Sequence, residues 1–365
     1  MQSKAKHATD PLSSPYQHSS GTDEFPRNVQ LHFTMNILVT GGAGYVGSHA
    51  VKLLTAQGHQ AWVFDNLVYG HRGAVAADRL IEGDLLDGDR LRSVMRENRI
   101  EAVMHFAAYA LVGESVTNPA KYYQNNIVGT LSLLDSMRDC DVDRIVFSST
   151  CATYGTPATV PIPEDHPQSP INPYGYTKLV IEQALEDYRH AYGISYAALR
   201  YFNASGAAMD GSIGEDHTPE SHLIPLVLQA ALGQRESISI FGTDYPTPDG
   251  TCIRDYIHVD DLATAHLKAL EKLGDANAIK LNLGTGRGAS VREVIDLCKQ
   301  VTGKDFVVVE TDRREGDPPE LVANPASAAA LLDWRAEITD MRAIIESAWA
   351  WHSAHPDGFA DYSGF

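Results

Sequence analysis

The amino-acid sequence predicts an α/β protein with a doubly wound parallel sheet and a smaller C-terminal α/β domain. Two observations lead to this fold class. Short apolar runs alternate with helix-like segments between residues 36 and 201, and that alternation is typical of a parallel sheet with helices on both faces. Beyond about residue 203, glycine, proline and short elements become frequent, which indicates a second architecture.

The individual elements follow from these patterns. Strands are expected at residues 36–40, 61–64, 79–84, 102–106, 144–149 and 196–201. Helices are expected at residues 48–57, 91–98, 126–137 and 174–192, and two further helices at residues 223–232 and 290–301. We therefore predict a first domain over residues 35–203, which also receives segments from the C-terminal half. A second domain is expected mainly over residues 204–350.

The segment before the first strand has a different character. Residues 1–34 are polar and are interrupted by proline, serine and glycine. They lack the apolar centre of a signal peptide, so we expect a mostly disordered N-terminal tail. Met35 directly precedes the first predicted strand and is a candidate for the true start of the protein.

The composition excludes several classes of function. A formal net charge of −18 over 365 residues argues against nucleic acid as the main partner, because that ligand usually needs a basic surface. No apolar run approaches the roughly 18 residues that span a membrane. The four cysteines contain no CxxC pair, and the fifteen histidines contain no HxxxH or HxH pair. We therefore expect reduced thiols, a cytoplasmic location and no metal site.

A glycine motif predicts a dinucleotide site. Gly42, Gly44 and Gly47 form GxGxxG between a predicted strand and a predicted helix, and Asp65 follows at the end of the next strand. This context is typical of the Rossmann-type fold, where the helix N-terminus binds a pyrophosphate and the acidic residue binds a ribose. Because Asp65 would repel a 2′-phosphate, NAD is favoured over NADP. A second glycine cluster, Gly284–Gly288, lacks a following acidic strand end and is interpreted as a structural loop.

A candidate catalytic set follows the fifth strand. Tyr174 and Lys178 are four residues apart and share one helix face. A neighbouring ammonium and a positive nicotinamide ring would lower the pKa of a tyrosine, ordinarily near 10, toward neutrality. Three hydroxyls at 148–150 end the preceding strand, and ligands of parallel sheets bind at carboxyl strand ends. Thr150 and Tyr174 can therefore converge on one substrate.

These motifs together resemble the extended short-chain dehydrogenase/reductases, and within them the UDP-glucose 4-epimerases. The matching stretches run from about Met35 to about Trp334 and include TGGAGYVGSH, YYQNNIVGTL, INPYGYTK, FGTDYPTPDGTCIRDYIHV and RREGD. The resemblance implies an NAD-containing enzyme that inverts C4 of a UDP-hexose. It also implies a homodimer that pairs through the helices near residues 122–137 and 174–192.

The resemblance implies a role for each matching position. Catalysis is assigned to Thr150, Tyr174 and Lys178. Cofactor binding, in addition to Tyr174 and Lys178, is assigned to Gly41, Gly44, Tyr45, Val46, Gly47, Asp65, Asn66, Asp84, Leu85, Phe106, Ala107, Ala108, Asn125 and Phe202. Substrate binding, in addition to Thr150 and Tyr174, is assigned to Asn203, His222, Leu223, Phe241, Arg254, Arg314, Asp317 and Leu321.

Three positions depart from the family pattern and leave the substrate open. Ala110 stands where some members have a lysine, and His222 stands where many have asparagine. Leu321 occupies a variable gate position, where small residues admit N-acetylhexosamines and tyrosine tends to exclude them. UDP-GlcNAc therefore stays an alternative to UDP-glucose. The sequence SSTCATYG and the absence of the lysine are also typical of UDP-arabinose 4-epimerases. UDP-arabinose and UDP-xylose are therefore further alternatives.

Two other functions compete. A sugar-nucleotide 4,6-dehydratase would carry Asp-Glu after the strand-end threonine, whereas Thr150 is followed by Cys151 and Ala152. An NAD-sensing binding protein without activity would be expected to lose Tyr174 or Lys178, and both are present. The sequence therefore favours the epimerase.

Overall fold

The computed structural model describes residues 34–314 and 316–359. The predicted disordered tail lies outside the described residues except for Thr34. None of the helices in the described ranges combines the length and the apolar character that crossing a membrane requires.

The described residues contain strands and helices in the predicted alternation. The strands are β1 (Asn36–Thr40), β2 (Gln60–Asp65), β3 (Leu80–Glu82), β4 (Ala102–His105), β5 (Arg144–Thr150), β6 (Ser195–Tyr201), β7 (Asn203–Ser205), β8 (Ser237–Phe241), β9 (Ile253–Arg254), β10 (Tyr256–His258), β11 (Ala278–Leu283), β12 (Ala289–Ser290), β13 (Val307–Thr311) and β14 (Glu320–Leu321). The α-helices are α1 (Tyr45–Ala56), α2 (Gly88–Glu97), α3 (Val112–Thr117), α4 (Pro119–Tyr122), α5 (Gly129–Asp139), α6 (Pro173–Tyr192), α7 (Leu223–Ala231), α8 (Val259–Lys272), α9 (Val291–Thr302), α10 (Ala326–Leu332) and α11 (Met341–Ala354).

The main sheet has seven parallel strands in the order β11-β6-β5-β4-β1-β2-β3. The chain runs outward from β1 to β3, returns to β4 beside β1, and then runs outward in the other direction. The order thus reverses between β1 and β4, and ligands of such sheets bind at this switch point. The predicted doubly wound Rossmann-type fold is confirmed.

Alternate residues of the central strand pack into different cores, as a sheet covered on both faces requires. Ile37 and Val39 belong to a core that includes α1 and α8, whereas Leu38 belongs to a core that includes α2 and α5. All three side chains are fully buried. This arrangement explains why β1 is an uninterrupted apolar run rather than an alternating one.

The C-terminal half contributes to two parts of the molecule. Its strand β11 pairs with β6 at one edge of the main sheet, and α8 packs on α1. A third core joins α7, α9 and α11 with β8, next to the parallel pair β8 and β13. The returning segments agree with the sequence analysis, while the boundary between two domains stays a prediction.

One predicted helix differs from the structure in an informative way. The segment expected as a helix over residues 126–137 begins as a π-helix, Tyr123–Val128, and continues as α5. π-Turns are rare and occur frequently at functional sites. Within this one, the fully buried Asn126 donates hydrogen bonds to the Tyr109 carbonyl (3.0 Å) and to Thr177 Oγ1 (3.1 Å). The π-turn therefore connects the segment after β4 to α6.

Candidate active site

The GxGxxG loop connects β1 to α1 in a conformation that glycine alone allows. Gly41 has a φ of +71°, and a Cβ atom there would lie 2.4 Å from the backbone nitrogen of Ala107. A Cβ atom at Gly47 would lie 2.2 Å from the carbonyl oxygen of Gly41. Gly44 caps α1, and a Cβ atom there would meet a neighbouring atom only at 3.4 Å. The loop thus presses against the segment after β4 and leaves the helix N-terminus open to a ligand.

Asp65 lies at the end of β2 and faces this loop. Its Oδ2 accepts a hydrogen bond from the Ala43 amide (3.0 Å), and its Oδ1 accepts one from the Leu67 amide (2.8 Å). Burial raises the pKa of the Asp65 carboxyl, and the two N–H donors oppose that increase. The carboxylate is therefore held beside the glycine loop, as a ribose-binding role requires.

The positions assigned to the adenosine end also come together. Asn66 Nδ2 donates to Asp84 Oδ2 over 3.1 Å, and Leu85 is buried directly after it. The Leu86 amide donates to Asp84 Oδ1. This side of the crevice is formed by the ends of β2 and β3.

The remaining cofactor positions line the switch point. The amides of Phe106 and Ala107 donate to the carbonyl oxygen of Thr40 over 2.9 and 3.0 Å, and Ala108 follows them in the chain. Asn125 lies in the π-helix and donates through Nδ2 to Asn126 Oδ1 over 3.0 Å. The glycine loop and the segment after β4 therefore lie together at the carboxyl ends of β1 and β4.

The catalytic set gathers at the end of β5 and the start of α6. Asn172 caps α6 by accepting a hydrogen bond from the Gly175 amide (2.8 Å), which fixes the first turn that carries Tyr174. The Lys178 ammonium lies one turn later, 5.9 Å from the centroid of the Tyr174 ring. Burial raises the pKa of Tyr174, and a hydrogen bond with Thr150 opposes that rise. The predicted trio is thus assembled within the chain.

Burial dominates the electrostatics of Tyr174 and Lys178. Burial raises the pKa of its hydroxyl well above the ordinary value, and the nearby Tyr201 hydroxyl adds to the increase. Burial also lowers the pKa of Lys178 to about 7, so the expected ammonium is only partly present at neutral pH. Desolvation is the main cause in both residues, because it disfavours both charged forms. The prediction that Lys178 and the nicotinamide ring together lower the pKa of Tyr174 concerns the protein with NAD⁺ bound and stays a prediction.

A buried ion pair supports the catalytic helix from below. Glu182 on α6 and Arg200 on β6 contact each other over 2.6 Å, with about 3% of each side chain exposed. Ser149 donates to Glu182 over 2.6 Å, and Arg200 donates to the Tyr154 hydroxyl over 2.8 Å. The carboxylate of Glu182 also favours the charged form of Lys178.

Four of the predicted substrate residues form a contiguous group. The Arg314 guanidinium lies over the Phe241 ring at 4.4 Å, and Asp317 lies 3.8 Å from Arg314 and 3.6 Å from Arg254. Arg254 also donates to the backbone carbonyl of Pro318 over 2.9 Å. Two guanidinium groups on one side suit a diphosphate, because arginine binds phosphate oxygens bidentately.

Leu321 lies between this group and the catalytic set. It pairs with Arg254 across β14 and β9 and packs on a small core that includes Cys151 and Phe202. Burial raises the pKa of the Cys151 thiol to about 12, which suits a packing residue rather than a nucleophile. The predicted gate residue thus reaches the neighbourhood of Thr150.

Asp255 is a residue that sequence reasoning missed. Its carboxylate is fully buried and accepts hydrogen bonds from the amides of Thr285 (2.9 Å), Gly286 (3.0 Å) and Ala323 (3.2 Å). Its backbone also bonds the assigned residue Asn203. The second glycine cluster therefore wraps an anion of the protein itself, which agrees with its interpretation as a structural loop.

His222 and His217 lie in one group of ionisable side chains, although no HxxxH or HxH pair connects them in the sequence. His222 caps α7 immediately before Leu223, and its Nδ1 contacts Glu215. His217 and Glu220 join the same group, and the ligand atoms of all four residues lie within 4.8 Å of one another. The spacing of histidines in the sequence did not indicate this group, because it forms in a loop, where helical or strand periodicity does not apply.

The chain was compared with known proteins. Residues 37–284 match the model of the NAD dependent epimerase/dehydratase family. The chain belongs to this family. It is 52% identical over 327 residues to a UDP-glucose 4-epimerase of Halalkalibacterium halodurans, covering 89% of this chain and 98% of that protein. The resemblance drawn from the motifs is confirmed.

Solved structures of this epimerase/dehydratase family agree. A UDP-glucose 4-epimerase from Brucella ovis in complex with NAD is 52% identical, with a TM-score of 0.85 over 87% of this chain and 98% of that one. A UDP-glucose-4-epimerase from Stenotrophomonas maltophila, with bound NAD and formylated UDP-arabinopyranose, is 40% identical, with a TM-score of 0.85 over 88% of this chain and 99% of that one.

Proposed function

We propose that this chain is an NAD-dependent UDP-sugar 4-epimerase that interconverts UDP-galactose and UDP-glucose. The observation that carries the proposal is the convergence of Thr150, Tyr174 and Lys178 at the carboxyl end of β5, which is the neighbour of β4 and thus lies beside the switch point. On one side lies the glycine loop with Asp65, and on the other lies the pair of guanidinium groups. Membership of the family and the names of its relatives support the same reaction.

The residues present fit NAD. The glycine loop packs so closely on the backbone that Gly41 and Gly47 leave no room for a Cβ atom, whereas a Cβ atom at Gly44 would meet a neighbouring atom only at 3.4 Å. The N-terminus of α1, which this loop precedes, suits the pyrophosphate. Asp65 offers a carboxylate for ribose hydroxyls, while Asn66, Asp84 and Leu85 line the adenine end. We assign the nicotinamide end to Phe106–Ala108, Asn125, Lys178 and Phe202.

Tyr174 is assigned as the base. The bound nicotinamide would supply reversible hydride transfer at C4. The Tyr174 hydroxyl, as phenolate, accepts the proton of the sugar 4-OH, with Thr150 as the bridge. The same proton returns when the 4-keto sugar is reduced on its other face, so Tyr174 ends in its starting state and no net oxidation occurs.

A nearby positive charge must lower the pKa of Tyr174 before the phenolate can form, because burial alone raises that pKa. Lys178 is the cation in the chain closest to this task. Charging Lys178 and ionising Tyr174 stabilise each other across the 5.9 Å that separates the ammonium from the ring. We therefore propose that the two residues titrate as a pair when substrate and cofactor are in place.

The substrate side favours a firm hold on UDP and a loose hold on the sugar. Arg254 is fixed by two backbone carbonyls, whereas 61% of the Arg314 side chain is exposed and free to close on a diphosphate. We propose that residues 204–350 hold UDP through Asn203, Leu223, Phe241 and the two arginines. The sugar, lacking comparable clamps, can then turn to present its other face.

Alternative sugars stay open. Leu321 is intermediate between a small and an aromatic gate residue, so UDP-GlcNAc is a second candidate substrate. The Stenotrophomonas relative contains a modified UDP-arabinopyranose, and UDP-arabinose or UDP-xylose is a third candidate. A 4,6-dehydratase is disfavoured because Cys151 and Ala152 replace the acidic pair that this reaction needs.

We also propose a homodimer. Between α5 and α6 lies an open groove of about 290 Å³ lined mainly by apolar side chains, among them Ile127, Leu131, Val180 and Ala184. Tyr176 beside it is 48% exposed. Light scattering after gel filtration should give twice the subunit mass, and Leu131→Glu should give the monomer. A wild-type monomer would contradict the assignment.

A cytoplasmic location is proposed on the state of the thiols. Cys140, Cys151, Cys252 and Cys298 are all free in the described residues, as expected in a reducing compartment.

The deciding experiment uses protein purified without added cofactor. It should convert UDP-galactose to UDP-glucose, and Tyr174→Phe should abolish conversion. Tyr176→Phe, on the same helix but exposed, should retain it. UDP-GalNAc and UDP-arabinopyranose are assayed in parallel to rank the substrates. Absence of conversion of every substrate, or formation of a 4-keto-6-deoxy product, would overturn the proposal.

A further inference from the structure

Four side chains form a compact group in the loop between β7 and α7. The group consists of Glu215, His217, Glu220 and His222, hereafter the Glu/His cluster. Glu215 Oε1 lies 3.2 Å from His217 Nδ1, and His217 Nδ1 lies 3.7 Å from Glu220 Oε2. His222 Nδ1 contacts Glu215 Oε1. One ligand atom of each residue thus faces a common centre, with no pair of these atoms more than 4.8 Å apart.

The two carboxylates of the cluster need positive charge. Glu215 is 3% exposed and the Glu220 side chain is 5% exposed. Within residues 34–314 and 316–359, neither carboxylate forms an ion pair with a lysine or an arginine. Buried charges of one sign are costly without a counterion. The charge must come from protonated histidines or from a bound cation.

The ligand set and its geometry favour the cation. Two imidazole nitrogens and two carboxylate oxygens suit Zn²⁺, which binds such atoms at about 2.0–2.2 Å in a tetrahedron. Tetrahedral ligands at that distance lie roughly 3.3 Å apart, close to the 3.2 and 3.7 Å found here. The atoms at the 4.8 Å limit of the group would have to approach by about 1.5 Å, whereas His222 Nδ1 and Glu215 Oε1 would have to separate to hydrogen-bond length and beyond. His222 has room to move away, because 44% of its side chain is exposed.

The cluster is also braced and accessible. Glu220 Oε1 accepts hydrogen bonds from the amides of Ser221 (2.7 Å) and His222 (2.8 Å), so its Oε2 is left facing His217. A cavity of about 460 Å³, lined in part by Glu215, His217 and Glu220, reaches the group. Oriented ligands and an entry path are both requirements of a metal site.

We propose that Glu215, His217, Glu220 and His222 bind one divalent transition-metal ion of the Zn²⁺ class. Four protein ligands close the coordination shell, so the site is structural rather than catalytic. Its position is consequential, because His222 caps α7 and His217 packs edge-on against Tyr45, with ring centroids 6.1 Å apart. The metal would tie the start of α7 to the start of α1.

The test uses the full chain without an affinity tag, freed of metal by a chelator and titrated with Co²⁺. Tetrahedral Co²⁺ absorbs visible light much more strongly than the octahedral aqueous ion. One equivalent should give a saturable band that Zn²⁺ displaces. Glu220→Gln and His217→Gln should weaken binding by at least roughly 10–100-fold, the loss expected even for an outer-shell partner.

Controls make the outcome decisive. His190→Gln removes a histidine from an exposed His–Glu pair on α6 and should leave the titration unchanged. Glu220→Gln keeps the oxygen that accepts the two backbone N–H groups, so it answers the question even where His217→Gln fails to fold. Absence of a saturable tetrahedral band in the wild type, or equal binding by Glu220→Gln, would overturn the site. The cluster would then consist of protonated histidines that form ion pairs with Glu215 and Glu220.

Discussion

The Nζ of Lys178 donates a hydrogen bond of 2.8 Å to the backbone carbonyl of Ser148. This bond connects α6, which carries Tyr174, to the end of β5, which carries Thr150. Lys178, with 3% of its surface exposed, therefore joins the two elements that carry the proposed catalytic residues. The same burial makes its charge sensitive to pH.

The first prediction concerns that charge. The pKa of Lys178 is about 7 in the folded protein and about 10.4 in an unfolded chain. Between these values the unfolded state binds more protons, so this lysine makes the free energy of unfolding rise with pH from 7 to 10. Below pH 7 both states are protonated and the dependence ends.

Lys178→Met removes this contribution, so the wild type should gain a few kcal/mol over the variant between pH 7 and pH 10. Urea unfolding of both proteins, each freed of dinucleotide, measures the difference. Parallel pH dependences would show that Lys178 keeps an ordinary pKa.

The buried ion pair should be essential for stability. Glu182→Gln leaves the guanidinium of Arg200 buried without its carboxylate, and breaking such a pair typically costs about 3–5 kcal/mol. The matched control is Asp89→Asn, whose partner Arg92 is at the surface and whose loss should cost at most about 1 kcal/mol. Urea unfolding of the three proteins tests the contrast, and equal losses would contradict it.

Asp65 should control cofactor retention. Asp65→Asn should weaken NAD binding at least about tenfold, because a hydrogen bond to a charged group contributes about 1.5–3 kcal/mol. The substitution should also reduce the ratio of the affinity for NAD to the affinity for NADP. The control is Glu82→Gln. Glu82 lies opposite Asp65 on the neighbouring strand β3, and this variant should bind NAD normally. Calorimetric titration measures both, and unchanged binding by Asp65→Asn would place the ribose elsewhere.

Leu321 should set the size of the sugar pocket. Leu321→Ala should raise kcat/KM for UDP-GalNAc relative to UDP-galactose, and Leu321→Tyr should lower that ratio, because the side chain packs beside Cys151 and Phe202. Leu331→Ala on α10 removes the same atoms from an exposed position and should leave the ratio unchanged. If neither Leu321 variant changes the ratio of the two kcat/KM values, Leu321 does not control the size of the sugar pocket.

Local spacing made the main features of the site predictable. Tyr174 and Lys178 share a helix face whatever the tertiary structure. The glycine loop was predictable because the strand before it and the helix after it are both evident in the neighbouring sequence. The raised pKa of Tyr174 was not predictable, since it depends on burial by β6 and its Tyr201. Nor were the partners of Asp255, because the amides that bind it come from residues about 30 and 68 positions away.

The position of β11 has a consequence for synthesis of the chain. When residues 36–203 have emerged from the ribosome, six strands of the sheet are present and β6 is an unpaired edge strand. The buried backbone of Ala197–Leu199 would then be open to pairing with other chains. Only when residues 278–283 emerge does that edge close. A truncation after residue 203 should therefore aggregate more readily than a chain that includes β11.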